Sequence, residues 1–187
     1  MAIKTFTTGE VLTASDTNTY LANAGLVYVT STTITAGASS VVVSNCFSST
    51  YDRYKILIET NVNTGGGTQG LIFTPNVTNS GNYSSLMYQI ATSATIYGAN
   101  SSAQSYFLVG YGGYLQSMVE IDNYKPRIGN GSTGSIRYSS YDNSQSTGGT
   151  GAMWSVNTGA NTGFTFASGG GYTLGAGRVT VYGYRIA

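Results

Sequence analysis

The stretch Tyr54-Lys55-Ile56-Leu57-Ile58-Glu59 decides the fold class. In an extended chain successive side chains leave opposite faces, so Tyr54, Ile56 and Ile58 share one side while Lys55 and Glu59 share the other. That is a strand with one face on a core and one in water, the usual arrangement in antiparallel sheets. Short runs of the same kind lie on both sides of it. Upstream are Leu26-Val-Tyr-Val29 and Val41-Val-Val43; downstream are Leu71-Ile-Phe73, Tyr106-Phe-Leu-Val109, Met118-Val-Glu-Ile121, Ser135-Ile-Arg-Tyr138, Phe164-Thr-Phe166 and Val179-Thr-Val-Tyr182. All are rich in β-branched and aromatic residues and most are bounded by turn formers, which predicts nine or more strands. No long helical period separates them, so parallel crossovers are not expected. The fold class is all-β, an antiparallel β-sandwich of jelly-roll type.

Glycine-rich stretches between the runs (Gly65-Gly66-Gly67, residues 129–134, residues 146–151 and Gly169-Gly170-Gly171) read as loops by composition. None is a phosphate cradle: residues 65–70 read GGGTQG, with no following Lys and no helix to supply a positive dipole end.

The chain divides after residue 25. Residues 1–25 form a polar arm with one short helix, capped by Thr13, carrying Asp16 three residues on as in a capping box, and stopped by Gly25. Tyr20, Leu21 and Ala24 give that helix a small apolar face, and a helix of about ten residues needs something to dock on. Residues 26–187 form the β-sandwich domain.

Composition narrows the chemistry. Among 187 residues there is no histidine, one cysteine, seven carboxylates and sixteen tyrosines. A nucleophile activated by histidine, a zinc held by His and Cys, and a proton shuttle poised near neutrality all need residues this chain lacks. The expectation is a protein that is not an enzyme and carries no cofactor or metal. Charged residues make up 8% of the chain against about 25% in ordinary globular proteins, so hydroxyls and amides do the work of solvation. Lys4, Arg53, Lys55, Lys125, Arg127, Arg137, Arg178 and Arg185 are spread along the chain and form no basic stripe, which argues against nucleic acid as a partner. Cys46 has no second cysteine to pair with and reads as a small buried hydrophobe. The first ten residues contain no secretion signal, and no stretch is apolar enough for membrane insertion. The chain is therefore expected to be soluble when made and, if it ends up outside a cell, to leave by a route other than the signal-peptide pathway, such as lysis of its host.

Three constellations compete with a purely structural role. Glu120 and Asp122 lie two apart on an expected strand, so both carboxylates leave one face roughly 6 to 7 Å apart, within reach of the spacing glycosidases use. With Lys125 and Arg127 close by, an ordinary surface charge cluster is the favoured reading. The tyrosines form the second set: many are expected in the core or in subunit contacts, while Tyr111, Tyr114 and Tyr141 are expected on loops where flat amphipathic rings could stack on a host-surface glycan, as in a carbohydrate-binding adhesin or receptor-binding module. Third, Asp122, Asn123 and Asp142 supply loop oxygens of the kind calcium takes. Asn-X-Ser/Thr sequences at Asn76, Asn82, Asn100 and Asn130 arise readily by chance in so much Asn, Ser and Thr, and carry no weight.

Four segments carry a family resemblance. Phe6-Thr-Thr-Gly-Glu-Val-Leu-Thr-Ala-Ser-Asp-Thr-Asn-Thr-Tyr-Leu-Ala-Asn23 resembles the amino-terminal segment of many small virion proteins of tailed bacteriophages. Phe47-Ser-Ser-Thr-Tyr-Asp-Arg-Tyr-Lys-Ile56, Ile121-Asp-Asn-Tyr124 and Gly177-Arg-Val-Thr-Val-Tyr-Gly-Tyr-Arg185 are similar to that group too. The resemblance implies a β-sandwich on the virion exterior, made in the bacterial host cytoplasm and often a homotrimer, docked on other capsid or tail proteins by its arm. Phe6, Val11, Leu12, Tyr20 and Leu21 would supply apolar docking contacts, and Glu10 and Asp16 would orient them. The chain departs from long tail fibres in having no internal repeat or heptad shaft, which leaves a short tail fibre or a capsid decoration protein.

Overall fold

The computed structural model describes residues 7–11, 13, 25–63, 69–77, 81–90, 95–127, 132–141, 146–156 and 159–184. Among them every regular element is a strand: β1 (Leu26–Ile34), β2 (Ser40–Val43), β3 (Arg53–Thr60), β4 (Val62–Asn63), β5 (Gln69–Pro75), β6 (Asn82–Ile90), β7 (Ile96–Gln104), β8 (Phe107–Gly112), β9 (Gln116–Tyr124), β10 (Ser132–Tyr141), β11 (Ser146–Ser155), β12 (Phe164–Ser168), β13 (Thr173–Leu174) and β14 (Gly177–Tyr184). All nine runs expected from the sequence fall in strands, only Tyr106 lying just ahead of β8. The helix expected in the arm lies outside the described residues.

Eight strands make one sheet in the order β1-β14-β3-β9-β10-β11-β6-β7, four make a second in the order β2-β12-β5-β8, and β13 pairs with β4. Every pairing is antiparallel. The chain folds back on itself in nested fashion: β1 pairs with β14, β2 with β12, β3 with β9 and β5 with β8. Two hairpins, β6-β7 and β10-β11, join each other and widen the large sheet beyond β9.

The core lies between the two sheets. Tyr54, Ile56 and Ile58 of β3, with Val179 and Val181 of β14, bury the face that the opening alternation predicts. From the small sheet come Val41, Val43, Leu71, Phe73, Phe164 and Phe166, all in the same buried cluster. Phe73 and Phe164 stack at 4.4 Å, and Phe47 bridges Phe164 (5.8 Å) to Tyr54 (4.9 Å, edge-on). Each such ring is worth about 1.5–3 kcal/mol in burial, so this aromatic chain joins the sheets together with the aliphatic side chains of the same cluster. Cys46 sits in the same cluster with its thiol donating to the Val43 carbonyl at 3.8 Å, as the small buried hydrophobe expected.

The widened half of the large sheet is built differently. Beside Leu86, Ile136, Tyr138 and Met153, its buried positions carry Asn82, Ser84, Ser132, Thr147 and Ser155, and Asn123 of the adjoining β9 is buried with them. All but Thr147 bond one another or the small sheet: Ser132 Oγ donates to Asn123 Oδ1 (3.1 Å), Ser155 Oγ to Asn82 Oδ1 (2.8 Å), and the Leu108 N–H to Ser84 Oγ (2.9 Å). Residues 146–151, expected to be a loop, are the first half of β11, hydrogen-bonded to β10 on one side and β6 on the other. Residues 132–134, also expected in a loop, open β10.

Candidate functional site

On β9 the even residues face out and the odd ones in, so Glu120, Asp122 and Tyr124 stand on the open face of the large sheet above buried Val119, Ile121 and Asn123. Register sets their neighbours. Glu120 lies opposite Leu57 and Arg137, Asp122 opposite Lys55 and Ser135, and Tyr124 opposite Arg53 and Thr133. The ion pairs run diagonally. The Lys55 ammonium bonds Glu120 Oε1, and the Arg53 guanidinium reaches Asp122 Oδ1 at 3.2 Å. Tyr184 donates its hydroxyl to the same Asp122 oxygen at 2.8 Å, and Arg53 lies over the Tyr184 ring at 4.4 Å.

The hydrogen bond to Glu120 raises the pKa of Lys55 above the usual lysine range. Burial, then the bond to Asp122, raises that of Tyr184. Because the face is open, each pair is worth at most about 1 kcal/mol. Their effect is to hold the carboxylates in fixed positions. Glu120 and Asp122 do share a face, as the strand spacing requires, but each already binds a cation on an open polar surface, the reverse of the apolar enclosure in which a catalytic acid is set up. What this arrangement does chemically is present charge and hydrogen-bonding groups to a ligand or neighbour.

Of the three candidate tyrosines, Tyr111 is not in a loop. It lies in β8 with its ring 5.0 Å from Tyr88 and 6.3 Å from Tyr138, packed on the core. Tyr114, in the β8–β9 connection, and Tyr141, the last residue of β10, are 40% and 51% exposed. A bond from the Leu115 N–H to the Tyr141 carbonyl (3.1 Å) brings that connection and the end of β10 together. Of the docking arm, Phe6, Leu12, Asp16, Tyr20 and Leu21 lie outside the described residues. Val11 is exposed, and Glu10 accepts a bond from the Thr7 N–H at 3.1 Å across a turn. Asp122 and Asn123 point to opposite faces of β9 and do not converge on an ion, and Asp142 lies outside the described residues. Among the described residues no three metal-ligating side chains come together, and no helix is long and apolar enough to cross a membrane.

The sequence reading did not single out Trp154, the chain's one tryptophan. It stands on the open face of β11, 46% exposed, paired in register with Tyr83 of β6. The two rings are parallel within 5° and 4.6 Å apart. The signal was present in the sequence as Met153-Trp-Ser155, but a strand there becomes visible only once the glycines before it are recognised as strand residues. No family model, curated protein or solved structure matches this chain.

Proposed function

We propose that the chain is a non-enzymatic structural protein on the exterior of a tailed-bacteriophage virion, a jelly-roll sandwich that associates as a homotrimer and is docked by residues 1–25. The observation that carries the reading is the nested strand order. Taken four per sheet, β1-β14-β3-β9 faces β2-β12-β5-β8, which supports a jelly roll, a fold recurrent in viral capsid domains as well as lectins. The step from that fold to a virion is an analogy between architectures, joined to the resemblance of the four segments.

Self-association is favoured by the edge of the large sheet. β7 reads IYGANSSAQ over nine residues, with no charge and no proline, and among the described residues its outer backbone groups have no strand partner. Exposed edges are ordinarily blunted by lysine, proline or bulges; β7 has an irregularity only at its end, between Ser101 and Gln104, and residues 96–101 are left as a regular edge that another chain can cover. Static light scattering at micromolar concentration is expected to give three times the chain mass, and a stable monomer would contradict the reading. Asn100, exposed in mid-β7, is the place to test the edge. In a three-fold ring the edge meets a different surface of the next copy, so Asn100→Lys puts an uncompensated charge into that seam and should lower the measured mass without loss of folding. A chain of residues 26–187 should fold and associate but fail to enter particles, and unchanged incorporation would refute the docking role of the arm.

A further inference from the structure

We propose that the open face of β10 and β11 is a trough that binds an acidic saccharide. This goes beyond the structural role above and does not depend on it.

Shape is the first argument. Outward positions of β10 and β11 carry Thr133, Ser135, Thr150 and Ala152, all small, with Arg137 beside Thr150, Glu120, Asp122 and Tyr124 standing taller on β9, and Met87 and Tyr83 on β6. Two depressions follow from this. One lies against Glu120, Arg137 and Thr150; the other lies against Arg53, Tyr124 and Thr133; they share Asp122 and Ser135 and so run on from one another along β10. The floor is hydroxyl-lined, which suits a ligand that is itself all hydroxyls.

The second argument is the tryptophan. The 4.6 Å between the Trp154 and Tyr83 rings matches the spacing of about 4.7–4.9 Å between adjacent strands, so the rings stand upright over their own strands like neighbouring books. Tyr83 backs one indole face. The other looks across Thr133 of β10, its register neighbour on the far side, towards Tyr124 of β9 two strands away, about 9–10 Å. A slot of that width, with a fixed amphipathic aromatic wall and a threonine floor, takes one sugar ring lying flat against the indole.

Charge selects among sugars. Arg53 and Arg137 line the trough with Glu120 and Asp122, and the two ion pairs, Arg53 with Asp122 and Lys55 from outside the trough with Glu120, use up both carboxylates. Arg137 stands exposed opposite Glu120 in register yet forms no ion pair among the described residues. One guanidinium is therefore left to complement a carboxylate, which it binds in bidentate geometry. Thr150, beside Arg137, is four residues from Trp154 along β11, about 13 Å, so a stacked ring and a paired carboxylate belong to different units of an extended oligomer.

The full-length chain carries its own reporter, since Trp154 is the only tryptophan. Titrating it with a panel of uronate- and sialate-bearing oligosaccharides should shift its fluorescence saturably for at least one. Isothermal titration should then show affinity at least tenfold weaker for Trp154→Ala and for Arg137→Gln, and weaker for the methyl ester of the same oligosaccharide. Tyr114→Ala should bind as the parent does. Absence of binding across the panel overturns the proposal. So does binding that survives both trough variants or is lost only in Tyr114→Ala. A Trp154→Ala variant that keeps its melting temperature but changes oligomeric mass would show instead that the face is buried between copies, which also overturns it. Arg137 is exposed, so Arg137→Gln keeps the test open should Trp154→Ala fail to fold.

Discussion

Two buried tyrosines have opposite relations to their hydroxyls. Tyr54 is fully buried, and its hydroxyl both donates to the Ser48 carbonyl (2.9 Å) and accepts from the Ser48 N–H (2.7 Å). Tyr138 is almost as buried, yet its hydroxyl finds no partner among the described residues. Removing an oxygen that satisfies two backbone groups is expensive, whereas removing one that satisfies none relieves a desolvation cost. Tyr54→Phe should therefore lower stability by about 1–3 kcal/mol, while Tyr138→Phe should be neutral or stabilise by about 1 kcal/mol, both read from denaturant midpoints. Sequence alternation marks both residues as inward-facing, since each sits on a run with a wet opposite face. It carries no information on which hydroxyl is bonded, because Ser48 approaches Tyr54 through the loop before β3. The same limit applies to Tyr111, whose aromatic surface looks available in sequence and is half covered by Tyr88 and Tyr138 in the fold.

Strands whose inner positions are Ile, Val and Phe are plain in the sequence, and β3, β9, β12 and β14 follow it closely. Strands with polar inner positions are hidden. β6 buries Asn82 and Ser84 before it reaches Leu86, so its alternation is one of polar with polar. β11 hides behind glycine, for a steric reason. A Cβ at Gly151 would come within 2.2 Å of the Ser85 carbonyl oxygen and one at Gly149 within 2.4 Å of that of Met87, so these positions admit no side chain while β6 lies alongside. Composition reads such glycines as loop, although here they let two strands approach. Gly151→Val should accordingly destabilise by about 1–3 kcal/mol or more, with hydrogen exchange rising first in β6 and β11 and not in β3. The candidate site was half legible for the same reason: Glu120 and Asp122 fall on a strand that sequence finds, Trp154 and Tyr83 on strands that it misses.

At the scale of the molecule, the absence of histidine leaves no side chain to titrate between the carboxylates and the thiol, and the fold biases what lies above. Burial pushes the Cys46 thiol up to about 12 from 9.0. Burial likewise raises Tyr138 and Tyr111, and Tyr184 and Lys55 are raised as well. All five shifts have one sign. In each case the unfolded chain releases its proton at a lower pH than the native one, so the stabilisation is intact below the unfolded pKa and is lost as pH climbs towards the folded one. Stability should be flat from about pH 6 to 8.5 and then fall, starting near 9 with Cys46, at up to about 1.4 kcal/mol per pH unit for each group. Denaturant midpoints measured across this range check it. Cys46→Ala should make the decline between about pH 9 and 10 shallower, and an unchanged slope would contradict the assignment.

Nesting places the first strand of the sandwich beside the last. Leu26 lies opposite Tyr184, so the polypeptide enters and leaves the body at one corner of the large sheet. Cargo fused behind residue 184 would emerge beside residue 25, whereas cargo placed in the connection between β6 and β7 would lie six strands away across the sheet. The same proximity makes a permuted chain feasible, with a short bridge between β14 and β1 and new ends opened at that distant hairpin.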